Sequence, residues 1–223
     1  MGEPEPVRYE RRGAAALITI DRQHRRNAVD GPTAAALHEA YLRFEADGDA
    51  RVLVLTGAGG VSFCAGADLK ATETMAGRLM SEEGPMGFTR LTPSKPTIAA
   101  ISGFALAGGL ELALWCDLRS ATVGSTLGYP ERRWGVPLID GGTQRLPRIV
   151  GLGRALARAE GLARFPQTTM LADRRAAIEG LGMTLAEGLA LESQAGPEVF
   201  EDGARGAARF AAGEGRGGAG AGA

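Results

Sequence analysis

Largely apolar runs, Ala14 to Ile20, Val52 to Thr56, Thr97 to Ser102 and Leu118 to Val123, are each bounded by glycine, proline or a charged residue. Short runs of this kind read as strands, Val52 to Thr56 as a buried one and Thr97 to Ser102 as one buried on both faces. Between the first two, Leu37, Tyr41 and Phe44 recur at spacings of four and three behind Pro32, which predicts a helix ending near Asp47-Gly48. After the third, Gly108 and Gly109 open a helix running through Leu110, Leu112, Ala113, Leu114 and Trp115. Beyond Val150 the pattern is helical alone: Thr184-Leu-Ala-Glu187 reads as a capping box for a helix through Leu191, and Pro197 as the start of a last helix through Phe210. Strands alternating with helices, then helices alone, predict an α/β core over residues 1–150 and a helical region over 151–212. Residues 213–223 are mostly Gly and Ala and read as a disordered tail.

The densest chemistry lies between Lys95 and Asp117, where strand, glycine turn and helix start follow one another. Glycine at the helix start lets a ligand approach the backbone, and the first-turn N–H groups have no intrahelical partner. Glu111 lies three residues after Gly108, on the same helix face, so a donor and a carboxylate converge. An acid in a first turn also has a plainer role, offsetting the helix dipole. Ala65, Gly66 and Ala67 are small enough for another close backbone approach, and Asp68 is able to cap a helix. Glu131 follows Pro130 in a loop, where a carboxylate is ordinarily solvated. Residues 72 to 94, with Met75, Met80 and Met86 among glycines and Pro85, read as irregular or mobile. Gly57-Ala-Gly-Gly60 lacks a further glycine at position 62 and a following helix, which argues against a dinucleotide site. His24, in a polar loop with no carboxylate or nucleophile placed to pair with it, reads as a surface residue.

A chain of 223 residues is long enough for one sizeable core. Its net charge of −1 argues against a general nucleic-acid footprint. Of the 25 basic residues only Lys70 and Lys95 are lysine, so guanidinium groups dominate the positive charge, Arg25 and Arg26 among them. Cys64 and Cys116 sit in apolar contexts without CxxC spacing, so neither a disulfide nor a metal site is expected. No run approaches a membrane span and no basic-apolar leader opens the chain, which leads to the expectation of a cytoplasmic protein without a membrane partner.

Four segments, Phe63-Cys-Ala-Gly-Ala-Asp-Leu-Lys70, Ile98 to Leu112, Gly128-Tyr-Pro-Glu131 and Gly141-Gly-Thr-Gln-Arg-Leu146, occur in the order found in the crotonase, or enoyl-CoA hydratase/isomerase, family, which the first 160 residues or so resemble. The resemblance implies a spiral of ββα units and a C-terminal helical portion, here shortened by a few dozen residues after Leu156. It implies an acyl-CoA thioester substrate, with coenzyme A part of that substrate and no separate cofactor or metal. Ala67 and Gly108 would supply an oxyanion hole, and Glu111 and Glu131, twenty residues apart as in family members with two catalytic glutamates, would handle water and proton. Ala65, Gly66, Asp68, Leu69 and Gly109 would line the substrate path, the loop with Arg25 and Arg26 would border the coenzyme A phosphates, and residues 72 to 94 would flank the acyl group. The resemblance also implies a homotrimer or hexamer, and apolar Trp134, Val136, Leu138 and Ile139 read as surface needing cover. Hydration of a 2-enoyl-CoA is the expected reaction. Double-bond isomerisation, thioester hydrolysis and passive acyl-CoA binding remain open alternatives.

Overall fold

The computed structural model describes residues 5–152, 166–196 and 199–214. Among these residues eight strands form two sheets: β1 (Val7–Arg12), β2 (Ala15–Ile20), β3 (Val52–Gly57), β4 (Ser62–Cys64), β5 (Thr97–Ile101), β6 (Phe104–Leu106), β7 (Leu118–Ala121) and β8 (Thr126–Gly128). The larger sheet has the order β1-β2-β3-β5-β7, and the smaller β4-β6-β8. Only the β1–β2 hairpin is antiparallel. From β3 onward each strand of the large sheet is followed directly by one of the small sheet, so the chain steps between two parallel layers.

Crossovers return the chain to each next strand. The first is α1 (Gly31–Ala46), capped by Asp30, whose carboxylate accepts the Thr33 amide at 3.0 Å, with Pro32 in its opening turn. Its Leu37, Tyr41 and Phe44 are buried as the spacing predicts. The next, from β3 to β5, runs through β4 and the irregular residues after it, and the one from β5 to β7 carries β6 and α2 (Gly108–Trp115), every residue of which is buried. β1, β4, β6 and β8 are additions to the sequence reading, and the last three are only three residues long, too short for a period to show.

Residues 72 to 94 form a 3-10 turn (Thr72–Arg78) and a chain of tight turns, irregular as expected. They are nevertheless pinned to the core, because Met86, Phe88 and Thr89 are at most 1% exposed and Phe88 packs on Tyr41 and Trp115 with centroids 5.5 and 4.5 Å apart. The helical part comprises α3 (Gly142–Val150), α4 (Gln167–Glu179), α5 (Leu185–Ala195) and α6 (Phe200–Ala211). The Thr184 to Glu187 capping box is formed, with both reciprocal bonds present. The expected helix start at Pro197, the shortening after Leu156 and the tail from 215 onward lie outside the described residues. Trp134 and Leu138 are not open surface: both are buried, Trp134 under α6, so their apolarity is satisfied within the chain and gives no reason for a partner. Among the described residues no helix is long and apolar enough to cross a membrane.

Candidate active site

The site begins with a strained turn. Ala107, just before α2, has φ 51° and ψ −128°, a region that costs a residue with a Cβ on the order of 1–3 kcal/mol. This conformation swings the chain sharply out of β6, and the Leu110 and Glu111 amides both close onto the Ala107 carbonyl, at 2.8 and 3.1 Å. The Gly108 amide, one step ahead, donates to no protein acceptor among the described residues. Opposite it runs the loop after β4. There Val29 donates to the Gly66 carbonyl and accepts from the Asp68 amide, both at 2.8 Å, and the Ala67 amide between them is likewise without a protein acceptor. The two segments touch: a Cβ on Gly66, which has φ 96°, would stand 2.9 Å from Ala107 Cβ and 3.1 Å from Gly108 N. Gly109 faces the other way, its Cα packed against the Cys64 carbonyl.

Ala67, Gly108, Glu111 and Glu131 line one cavity of about 1120 Å³, together with Ala65, Asp68 and Leu69. Gly66 and Gly109 support the lining from behind rather than forming it. His24, Arg25, Arg26 and Lys70 line it as exposed rim groups, and its wall includes apolar Met86, Val136 and Phe210. His24 is exposed, as expected, but belongs to the rim. Asp68 caps no helix. Its carboxylate is instead drawn to Arg22 at 3.2 Å and Arg25 at 3.9 Å, and Arg22 also pairs with Asp30 at 2.7 Å, which fixes the loop below the rim.

The two glutamates stand in unlike surroundings. Glu131 lies in a 3-10 turn (Pro130–Trp134), is 5% exposed, and neither of its carboxylate oxygens has a hydrogen-bond partner among the described residues. Burial pushes its carboxyl up to about 8, so it is mostly protonated at neutral pH. Glu111 Oε1 accepts the amides of Gly142 at 2.7 Å and Asp140 at 3.0 Å, at the N-terminal end of α3. Burial, then the nearby Asp140 and Glu192 carboxylates, push Glu111 well above the ordinary range, while the two amides favour its anion. Glu111, Asp140 and Glu192 therefore titrate as an interacting set, each carboxylate raising the proton affinity of its neighbours. Tyr129 completes it: a Cβ on Gly142 would lie 2.6 Å from Tyr129 Oη and 2.8 Å from Glu111 Oε1, so both oxygens face one spot.

Sequence reasoning missed Tyr129, Asp140 and Glu192, together with the Arg132–Asp173 ion pair at 3.3 Å behind Glu131. Asp140 carried a usable signal, since an acid directly before Gly141-Gly142 and a helix marks an N-terminal turn. Glu192 carried none, because an acid inside a helix normally faces water.

The model of the family described as enoyl-CoA hydratase/isomerase matches residues 10–163. A short-chain-enoyl-CoA hydratase of Clostridium acetobutylicum is 41% identical over 153 residues, covering 67% of this chain and 59% of that protein. A crotonyl-CoA hydratase of Syntrophomonas wolfei is 38% identical over 155 residues, covering 68% and 60%. The chain thus spans about three fifths of the length of the curated relatives it matches. Among solved structures, a carnitinyl-CoA hydratase from Mycobacterium avium superposes with a TM-score of 0.71 at 30% identity, covering 94% of this chain and 97% of that one. An enoyl-CoA hydratase from Mycobacterium marinum gives 0.61 at 33%, covering 94% and 96%.

Proposed function

The chain belongs to the enoyl-CoA hydratase/isomerase family and has its α/β crotonase fold, and from that premise we propose that it adds water across the 2,3 double bond of an enoyl-CoA thioester. The observation that carries the reading is the pair of buried glutamates, one held by two backbone amides and the other bare among the described residues, on the cavity that the unpartnered Ala67 and Gly108 amides also line. In this reading the thioester oxygen accepts both amides. Enolate charge forming there would meet donors already in place, at the positive end of α2.

Glu111, oriented through Oε1, keeps Oε2 for the water. As the water oxygen bonds to C3, its proton passes to Glu111 and the π pair moves toward C2 and the thioester oxygen. Protonated Glu131 then gives its proton to C2, leaving a 3-hydroxyacyl-CoA, and transfer of the new proton from Glu111 to Glu131 resets the pair. These steps use only this chain's amides and carboxylates. The basic rim around Arg25, Arg26 and Lys70 suits the phosphates of coenzyme A. Incubation with crotonyl-CoA should bleach the conjugated thioester absorbance, and an inert mixture in which the thioester still binds would leave a binder in place of a hydratase.

The same proposal includes a homotrimer or hexamer. Its support is the outer edge, where Leu118 of β7, Val123 and Leu127 of β8 are 62%, 106% and 45% exposed. A monomeric mass by light scattering would remove it.

A further inference from the structure

Helix α5 sends one acid inward. Glu192 is 2% exposed, and its two oxygens clasp the turn that opens α3: Oε1 accepts the Gly141 amide at 2.6 Å and Oε2 accepts the Thr143 hydroxyl. Glu111 takes the amides on either side, those of Asp140 and Gly142. Two carboxylates from different helices therefore interlock on successive amides of one turn. Gly141 makes this possible, because φ 98° points its amide away from its neighbours'. The Asp140 side chain looks elsewhere, to the Met86 amide at 3.0 Å and the Thr89 hydroxyl. The other charged groups around Glu192 are Asp173 on α4, Arg145 on α3, Glu111 on α2 and the Tyr129 phenol.

We propose that Glu192 is a positioning residue for Glu111: by holding Gly141 and Thr143 it aims the two amides that orient the Glu111 carboxylate, and its own charge sets how readily Glu111 keeps a proton. The importance for catalysis rests on the hydration chemistry above, whereas the coupling between the two acids does not. Burial lifts Glu192 to about 7, so its charge changes near neutrality, beside a group whose proton affinity it raises. A residue that merely capped α3 would change stability and leave the titration of Glu111 alone.

The test is carboxyl NMR on protein labelled with ¹³C at the glutamate side-chain carboxyl, the Glu111 signal being identified by its loss in Glu111→Gln. In the unmodified protein the Glu111 signal should move in two steps, one of them at the midpoint of Glu192. In Glu192→Gln, which keeps the shape and a hydrogen-bonding end, the Glu111 midpoint should fall by about half a pH unit or more. The acid limb of the kcat/KM profile should move the same way, while KM for the thioester stays within about twofold. A single-step Glu111 titration, or an unchanged midpoint in folded Glu192→Gln, overturns the proposal. Should the protein prove unable to hydrate any enoyl-CoA, the reaction falls while the two-step titration still decides the role of Glu192.

Discussion

Glu111 and Glu131 differ less in chemistry than in what surrounds them. Amides hold one, and the other is bare. Glutamine at either position keeps the shape but cannot take up a proton, so Glu111→Gln and Glu131→Gln should each lower turnover by about 10²–10⁴-fold with acyl-CoA affinity little changed. In the proposed mechanism both act on one water, so the double variant should lose far less than the product of the single losses. Should Glu111→Gln be nearly silent while Glu131→Gln abolishes turnover, isomerisation through one glutamate becomes the better reading. Both positions, with Gly108 and Ala67, were legible in the sequence because each sits inside a contiguous motif that also dictates its local backbone. The nearness of Asp140 and Glu192 to Glu111 was not, since the turn before α3 and helix α5 reach it only through tertiary packing. The strain at Ala107 was equally hidden: nothing in Leu106-Ala-Gly108 marks an alanine for positive φ.

Among the elements, β2, β3, β5, α1 and α2 could be drawn from the sequence because their apolar periods run for five residues or more. The small sheet could not, as its strands exist only through pairing with one another. The docking of α6 was also invisible beforehand, and it hangs on a glycine. Any side chain at Gly206 would run into the Trp134 carbonyl, while Gly203 lets the same helix face approach Gly135, whose carbonyl oxygen is 3.3 Å from where a Cβ would stand. Trp134 and Phe210 then meet edge to face at 5.5 Å. Gly206→Val should cost about 1–3 kcal/mol through overpacking and loosen α6 from the Pro130–Trp134 turn. In a Trp115→Phe background the remaining emission of Trp134 should shift to the red and cleavage within 199–214 should quicken. Unchanged emission and cleavage would mean that α6 finds room without that close approach.

For the molecule as a whole, the buried acids tie stability to pH in an unusual direction. Burial raises Glu131 to about 8 and Asp173 and Glu192 to about 7, so each binds its proton more tightly in the folded state than in the unfolded chain, where carboxyls titrate near about 4. Their contribution is complete below that unfolded value. It drains away as pH climbs from about 4 toward the folded values of about 7 to 8, by up to about 1.4 kcal/mol per pH unit for each group while the folded protein alone holds the proton. The urea midpoint should therefore fall between about pH 5 and 8, and Glu131→Gln should flatten part of that fall; a midpoint rising across the range would refute it. The cavity adds a consequence for folding, because its wall draws on residues from His24 to Phe210. During synthesis the chain must emerge at least as far as Phe210 before the chamber closes, and until then the α/β layers would surround an open, partly apolar trough. Ligand affinity then reports on maturation: a thioester that binds only the closed chamber stabilises finished molecules by mass action and leaves those with an undocked last helix exposed to proteolysis.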